Sequence, residues 1–306
     1  MTRPLKIGVQ LPEVEREVRW PELLDIARAA EDMGLDSLWV GDHLLYRWPG
    51  HEPRGPWEAW SSLAGLAAVT QRISLGPLVA CTAFHNPAVL AKQAATVDEI
   101  SGGRLIVGLG AGWNETEFRA FGIPFDHRID RFEEAFTIIR SLLKDGVVDF
   151  EGRYYSARDC ELLPRSSRPG GPPILVGSNG PRMLRITMPH ADAWNSWYAD
   201  TGNRADGVAR LREIVDDACR DVGRDPGEVE RTVAVQVRLP EGRGRFMGDT
   251  SERQVVEPLS GPPEVIADGL GAYAAEGIRH LQLVLDPITR RSVEQLAPVI
   301  EILDRG

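Results

Sequence analysis

Lysine is the scarcest reactive group in this 306-residue chain: Lys6, Lys92 and Lys144 are the whole supply, and every other basic residue is arginine. A Schiff-base mechanism therefore has few candidates, and none is obviously placed for one. Cysteine is almost as rare. Cys81, Cys160 and Cys219 are an odd number without Cys-x-x-Cys spacing, which fits reduced thiols in a cytoplasm better than a disulfide framework or a cysteine metal cluster. The six histidines, His43, His51, His85, His127, His190 and His280, show neither His-x-His nor His-Glu-x-x-His spacing, so no metal site is expected. An excess of positive charge is also missing. The formal net charge of -10 argues against a nucleic-acid partner, because wrapping a phosphate backbone relies on a basic face. It leaves room for a small anionic cofactor held by a few local amides and arginines. No basic-then-apolar leader opens the sequence and no apolar run approaches the roughly 20 residues needed to cross a bilayer, so a cytoplasmic protein without membrane contact is expected.

What is present is apolar material in short, regularly spaced runs. With 42% hydrophobic and 26% charged residues the chain has enough for a large core, and its length suits one barrel domain spanning residues 1–306. Strand-like runs alternate with amphipathic helical stretches, the pattern of repeated βα units around a parallel sheet. Strands are expected at Leu5–Leu11, Ser37–Asp42, Ile73–Ala80, Arg104–Leu109, Ile174–Val176, Ala191–Trp194, Val229–Leu239 and His280–Asp286. Helices are expected at Trp20–Met33, within Pro56–Thr70, at Pro87–Ile100 and Arg128–Leu143, from Pro181, and at Gly207–Val222, Pro263–Glu276 and Val293–Leu303. Gly146–Pro164 breaks the rhythm and reads as a hairpin, Val147–Phe150 with Tyr154–Tyr155, inserted before the fifth strand. Glu241–Ser260 reads as a long mobile loop after the seventh. Eight pairs predict a (β/α)8 barrel, with an open doubly wound sheet as the alternative, since periodicity does not show whether the first and last strands meet.

In such a barrel the active site belongs at the carboxyl ends of the strands. His43 follows the second strand and could exchange a proton near neutral pH, with Asp42 orienting it or binding a cofactor; a purely structural His–Asp turn is the competing reading. Gly108-Leu109-Gly110-Ala111-Gly112-Trp113 leads from the fourth strand into a turn where missing side chains would let a flat ring or a phosphate approach the backbone. Its glycine spacing and position are not those of a dinucleotide fingerprint, and tight packing at the rim is the other explanation. Gly177-Ser178-Asn179-Gly180-Pro181 follows the fifth strand and precedes a helix, so its amides and hydroxyl form the best phosphate site, with Arg182 as a nearby charge; a helix cap without a ligand is the alternative. Trp48, Trp57, Trp60, Trp113, Trp194 and Trp197 supply either an aromatic rim for planar ligands or core packing. Cys81 reads as a packing residue.

The order and wording of these motifs resemble the luciferase-like family of flavin and deazaflavin oxidoreductases. The resemblance rests on Leu38-Trp39-Val40-Gly41-Asp42-His43, Asn86-Pro87-Ala88, Ser101-Gly102-Gly103-Arg104-Leu105 and the Gly108–Trp113 turn. Phe121-Gly122-Ile123-Pro124, Arg131-Phe132-Glu133-Glu134, Ile174-Leu175-Val176-Gly177 and His190-Ala191-Asp192-Ala193-Trp194-Asn195 extend it along nearly the whole chain. The resemblance implies a (β/α)8 barrel that uses coenzyme F420 or reduced flavin mononucleotide, and the Gly-Ala-Gly-Trp turn is similar to that of the deazaflavin-dependent subgroup. It implies hydride transfer between the deazaflavin and a small organic substrate, with His43 as proton donor or acceptor and Asp42 near the cofactor. The ring would pass close to the third strand at Leu78, Val79 and Ala80, where relatives often carry a bulge with a non-proline cis peptide. Gly110, Ala111, Gly112, Gly177, Ser178, Asn179, Gly180 and Trp194 complete the expected cofactor contacts. Relatives that oxidise sugar phosphates have an acidic residue where this chain has Trp113, so the resemblance speaks against a sugar-phosphate substrate. A two-component monooxygenase using reduced flavin is the alternative within the fold, and a non-catalytic cofactor-binding protein the alternative outside that class. A homodimer is implied by the family.

Overall fold

A computed structural model describes residue 3 and residues 5–244 and 256–305. From the amino end, β1 (Lys6–Gln10), α1 (Trp20–Asp32), β2 (Ser37–Val40) and α2 (Ala59–Val69) form the first two βα units. The third strand comes in two pieces, β3 (Ser74–Pro77) and β4 (Ala80–Cys81), followed by α3 (Pro87–Ser101). Then come β5 (Val107–Gly110), α4 (Glu115–Ala120), α5 (Arg128–Lys144) and the antiparallel pair β6 (Val147–Glu151) and β7 (Ser156–Glu161). The second half contains β8 (Ile174–Gly177), α6 (Pro181–Thr187), β9 (Ala193–Ser196), α7 (Val208–Asp221), β10 (Glu230–Arg238) and α8 (Pro263–Ala275). It ends with β11 (His280–Asp286), α9 (Arg290–Glu294) and α10 (Ala297–Arg305).

The main sheet is parallel throughout and runs β3-β2-β1-β11-β10-β9-β8-β5-β4. Its two ends meet, because Leu75 of β3 pairs in parallel with Leu105, its N–H donating to Arg104 O at 3.1 Å while its carbonyl accepts from Ile106 at 2.9 Å. The ring is therefore closed, and the open-sheet alternative is excluded. With β3 and β4 sharing the third position, this is the (β/α)8 barrel that the sequence predicts, including the hairpin before the fifth barrel strand. Helix spacing explains the outer layer: on α5, Phe132, Ala135, Phe136, Ile139 and Leu142 are all buried on the face that meets the strands. Helix ends are set by local chemistry. Asn86 caps α3 through Ala88 and Val89 N–H, and Gly102 stops it in the left-handed region at φ 67°.

Several expected boundaries are corrected. The second hairpin strand is Ser156–Glu161 rather than Tyr154–Tyr155, because Glu134 on α5 accepts the Arg153, Tyr154 and Tyr155 N–H groups and makes those residues the turn. The fourth barrel strand begins at Val107, Arg104 being taken up by a helix-sealing role described below. The helix expected within Pro56–Thr70 starts at Ala59, where Glu58 accepts from Trp60 and Ser61 N–H. The last helix is broken between Glu294 and Ala297, and α4 was not anticipated at all. Residues 245–255 of the expected Glu241–Ser260 loop lie outside the described residues.

Candidate active site

A cavity of about 350 Å³ opens at the carboxyl ends of the strands. One wall is the interruption of the third strand. Between β3 and β4 the chain turns outward through Leu78 and Val79, whose connecting peptide is cis, and both residues line the cavity. Glycines make room for this bulge: a Cβ on Gly110 would come within 2.7 Å of Val79 Cγ2, one on Gly108 within 3.0 Å of Val79 Cγ1, and one on Gly177 within 3.2 Å. The bulge is tied back by Asp42, whose Oδ2 accepts the Cys81 N–H at 2.9 Å and lies 3.0 Å from His85 Nε2. An apolar shelf with bare backbone on both sides suits a flat ring.

Across from the shelf stands His43, one residue past the end of the buried Asp42 anchor. Its Nδ1 is 2.8 Å from Glu117 Oε1, and its Nε2 is 3.6 Å from Glu13 Oε1. Glu117 lies on α4 with its side chain 1% exposed, and its other oxygen accepts from Leu44 N at 2.8 Å and Leu45 N at 3.3 Å. The short helix thus holds both the histidine and the loop that carries it. Glu13, just beyond β1, accepts hydrogen bonds from Gln10 Nε2 and from the Tyr46 hydroxyl. Burial alone would lower the pKa of His43, but the Glu117 hydrogen bond and the charges of Glu13, Glu117 and Asp42 outweigh it and hold the imidazole above its ordinary value. Tyr46 and Trp113 pack their rings at 4.7 Å and 5.6 Å from the imidazole.

The far end of the cavity is formed by Gly177, Ser178 and Asn179, with Ile129, Met183 and Arg128 beside them. Arg128 stacks over Phe125 at 4.1 Å and donates to Gly112 O at 2.6 Å, which aims a permanent cation at this end. Asn179 donates to Asp200 at 3.1 Å, while its Oδ1 is buried without a hydrogen-bond partner among the described residues.

Of the residues singled out from sequence, His43, Asp42, Leu78, Val79, Gly110, Ala111, Gly112, Gly177, Ser178 and Asn179 all line this cavity. Ala80, Gly180 and Trp194 do not. Ala80 is fully buried in β4, Gly180 N–H is turned to Ser178 Oγ at 3.3 Å, and buried Trp194 braces the loop by donating to Ser178 O at 2.9 Å. Arg182 points elsewhere, bridging Asp130 and Glu133, so Arg128 takes the place expected for it. Among the tryptophans, Trp113 and Trp197 face the cavity, Trp60 is core, and Trp57 donates to Val18 O. Glu13, Glu117, Gln10, Asn195 and Arg128 were missed. Glu13 could have been found from its place two residues past a strand, whereas Glu117 stands 74 positions from its partner with no local signal.

The chain belongs to the luciferase-like monooxygenase family, whose pattern it matches over residues 6–243. Curated relatives include an F420-dependent glucose-6-phosphate dehydrogenase of Amycolatopsis mediterranei, 35% identical over 99% of this chain and 90% of that one. Another, from Kineococcus radiotolerans, is 31% identical over 81% of this chain and 72% of that one. Among solved structures, an F420-dependent secondary alcohol dehydrogenase in complex with an F420-acetone adduct superposes with a TM-score of 0.80 over 98% of this chain and 99% of that one. Its 19% identity makes that a likeness of fold.

Proposed function

We propose that this protein is a coenzyme F420-dependent oxidoreductase that moves a hydride between the deazaflavin and a small organic substrate, with His43 carrying the accompanying proton. The observation that carries this reading is the placement of an imidazole, held by a buried carboxylate, directly across a cavity from an apolar backbone shelf. The residues present fit the cofactor: Leu78 and Val79 offer a flat apolar face, the glycines beside them admit a ring, and Arg128 with the Gly177–Asn179 turn suits a phosphate. When bound, the deazaflavin supplies the carbon that accepts or returns the hydride.

This chain supplies orientation and proton handling. Glu117 fixes His43 through Nδ1, which leaves Nε2 as the nitrogen that exchanges a proton with the substrate oxygen or nitrogen. In the oxidative direction the neutral imidazole takes that proton as the hydride leaves the adjacent carbon; in the reductive direction the imidazolium gives it back. Val79 and the Asp42–Cys81 bond keep the shelf at a fixed distance from that nitrogen. Trp113 beside His43 supports a substrate other than a sugar phosphate. Net charge of -10 supports a partner list without nucleic acid, and the unbridged thiols support a cytoplasmic location; a homodimer is proposed from the family.

The family description favours one second reading, a monooxygenase that uses reduced flavin mononucleotide and oxygen. Anaerobic titration of the purified protein with F420 and with the flavin, each oxidised and reduced, separates the two. Selective, saturable F420 binding without substrate-dependent oxygen uptake is expected; preference for reduced flavin with oxygen uptake would overturn the reading. His43→Ala should lower turnover about 10²-fold or more while leaving the F420 dissociation constant little changed.

A further inference from the structure

Opposite the shelf, four adjacent strands, β9, β10, β11 and β1, present a buried polar wall. Gln10, Asn195, Thr232 and Gln282 are each 5% exposed or less, in a barrel interior otherwise filled by Trp39, Leu175, Ala234 and Val284. Burying carboxamides at this depth is unfavourable unless their hydrogen bonds are made. Half of them are made within the wall. Asn195 Nδ2 donates to Thr232 Oγ1 at 2.9 Å and to Gln282 Oε1 at 2.7 Å, and Gln10 Nε2 donates to Glu13. Those bonds fix the orientation of both amides. With its nitrogen committed, Asn195 has its carbonyl left for the cavity it lines. Gln10 Oε1, also on the cavity wall, is buried and finds no hydrogen-bond partner among the described residues.

Resting on the F420 reading above, we propose that Gln10 and Asn195 form the substrate-recognition subsite. It selects an uncharged group that donates hydrogen bonds, a hydroxyl placed next to the reacting carbon. Two carbonyl oxygens aimed at one space accept and do not donate, so they reward a hydroxyl and penalise an ether, a ketone or a phosphate ester at that position. The wall faces away from the Gly177–Asn179 end, which assigns it to the substrate side of the cavity. The substrate class is therefore a vicinal diol or hydroxy-ketone rather than a simple alcohol or a phosphorylated sugar.

The test uses the protein loaded with whichever of F420 or flavin mononucleotide it binds. Binding is followed by cofactor fluorescence and thermal shift for a panel of 1,2-diols from propane-1,2-diol to cyclohexane-1,2-diol, their monomethyl ethers and their monophosphates. Diols are expected to bind about tenfold more tightly than the matched ethers, the size of two neutral hydrogen bonds. That ratio should collapse in Gln10→Met and in Asn195→Leu while the cofactor dissociation constant stays unchanged. Gln10→Met carries the test if Asn195→Leu fails to fold, since Asn195 also knits the wall. Equal binding of diols and ethers, or no binding of any diol at the highest soluble concentration, overturns the proposal. So does a variant that weakens the cofactor and leaves diol preference intact, because the wall would then be holding the ring. Failure of F420 to bind at all, with the diol preference intact on flavin-loaded protein, would sink the cofactor reading and spare the subsite.

Discussion

His43 and Glu117 form the pair on which the proposed chemistry turns, and their coupling has a readable sign. The histidine is held above its ordinary pKa against the opposing effect of burial, chiefly by its bond to Glu117 and the neighbouring carboxylates. A group whose native pKa exceeds its unfolded value binds its proton more tightly when folded. The resulting stabilisation is fully present below the unfolded imidazole value and is lost as pH rises through the native one. Reductive turnover, which needs the imidazolium, should fall across that same upper range, while oxidative turnover should rise. Glu117→Gln keeps the shape and removes a charge, so both pH profiles should move toward acid and turnover should drop about tenfold or more. Profiles that do not move in this variant would detach Glu117 from the titration. The histidine was legible in the sequence because strand two ends beside it. Its carboxylate partners were not: Glu117 sits on α4, a helix of six residues folded into what reads as the turn after Gly112.

At the scale of elements, the break in the third strand converts a regular barrel into one with a shelf. The sequence shows the apolar run Ile73–Ala80 and nothing in it announces the interruption; only family resemblance pointed at Leu78 and Val79. The physical trace lies on the neighbouring strands, in the glycines that face the bulge. These glycines differ in what they spare. A Cβ at Gly108 would lie 2.2 Å from the backbone oxygen of Pro77, whereas a Cβ at Gly110 meets the Val79 side chain at 2.7 Å. Gly108→Ala should therefore destabilise the fold by about 3 kcal/mol, seen as a lowered urea midpoint, because backbone must move. Gly110→Ala should cost less stability and instead weaken F420 binding about tenfold, since Val79 itself is displaced. Equal stability losses in the two variants, with F420 affinity intact, would show that the shelf does not position the cofactor.

For the whole molecule, the decisive event is closure of the ring, and the residue that seals it is one that sequence motifs alone would place among functional candidates. Arg104 belongs to the Ser101–Leu105 motif, yet it lies at the amino-end seam, away from the cavity. Its guanidinium donates to Ser101 O at 2.6 Å, Thr70 Oγ1 at 2.9 Å, Ile73 O at 2.6 Å, Ala67 O at 2.9 Å and Thr70 O at 2.9 Å. Those acceptors are the carboxyl ends of α2 and α3 and the entry to β3, joined beside the Leu75–Leu105 pair that closes the barrel. The planar fork reaches five oxygens at once; a lysine ammonium can reach three at most. Arg104→Lys should thus lower stability by about 3 kcal/mol, because carbonyls at two helix ends lose a charged donor. F420 affinity and the pH profiles of any remaining folded protein should be unchanged. Loss of affinity without loss of stability would mean that the seam communicates with the site, and that this motif belongs to function rather than to the architecture that holds it.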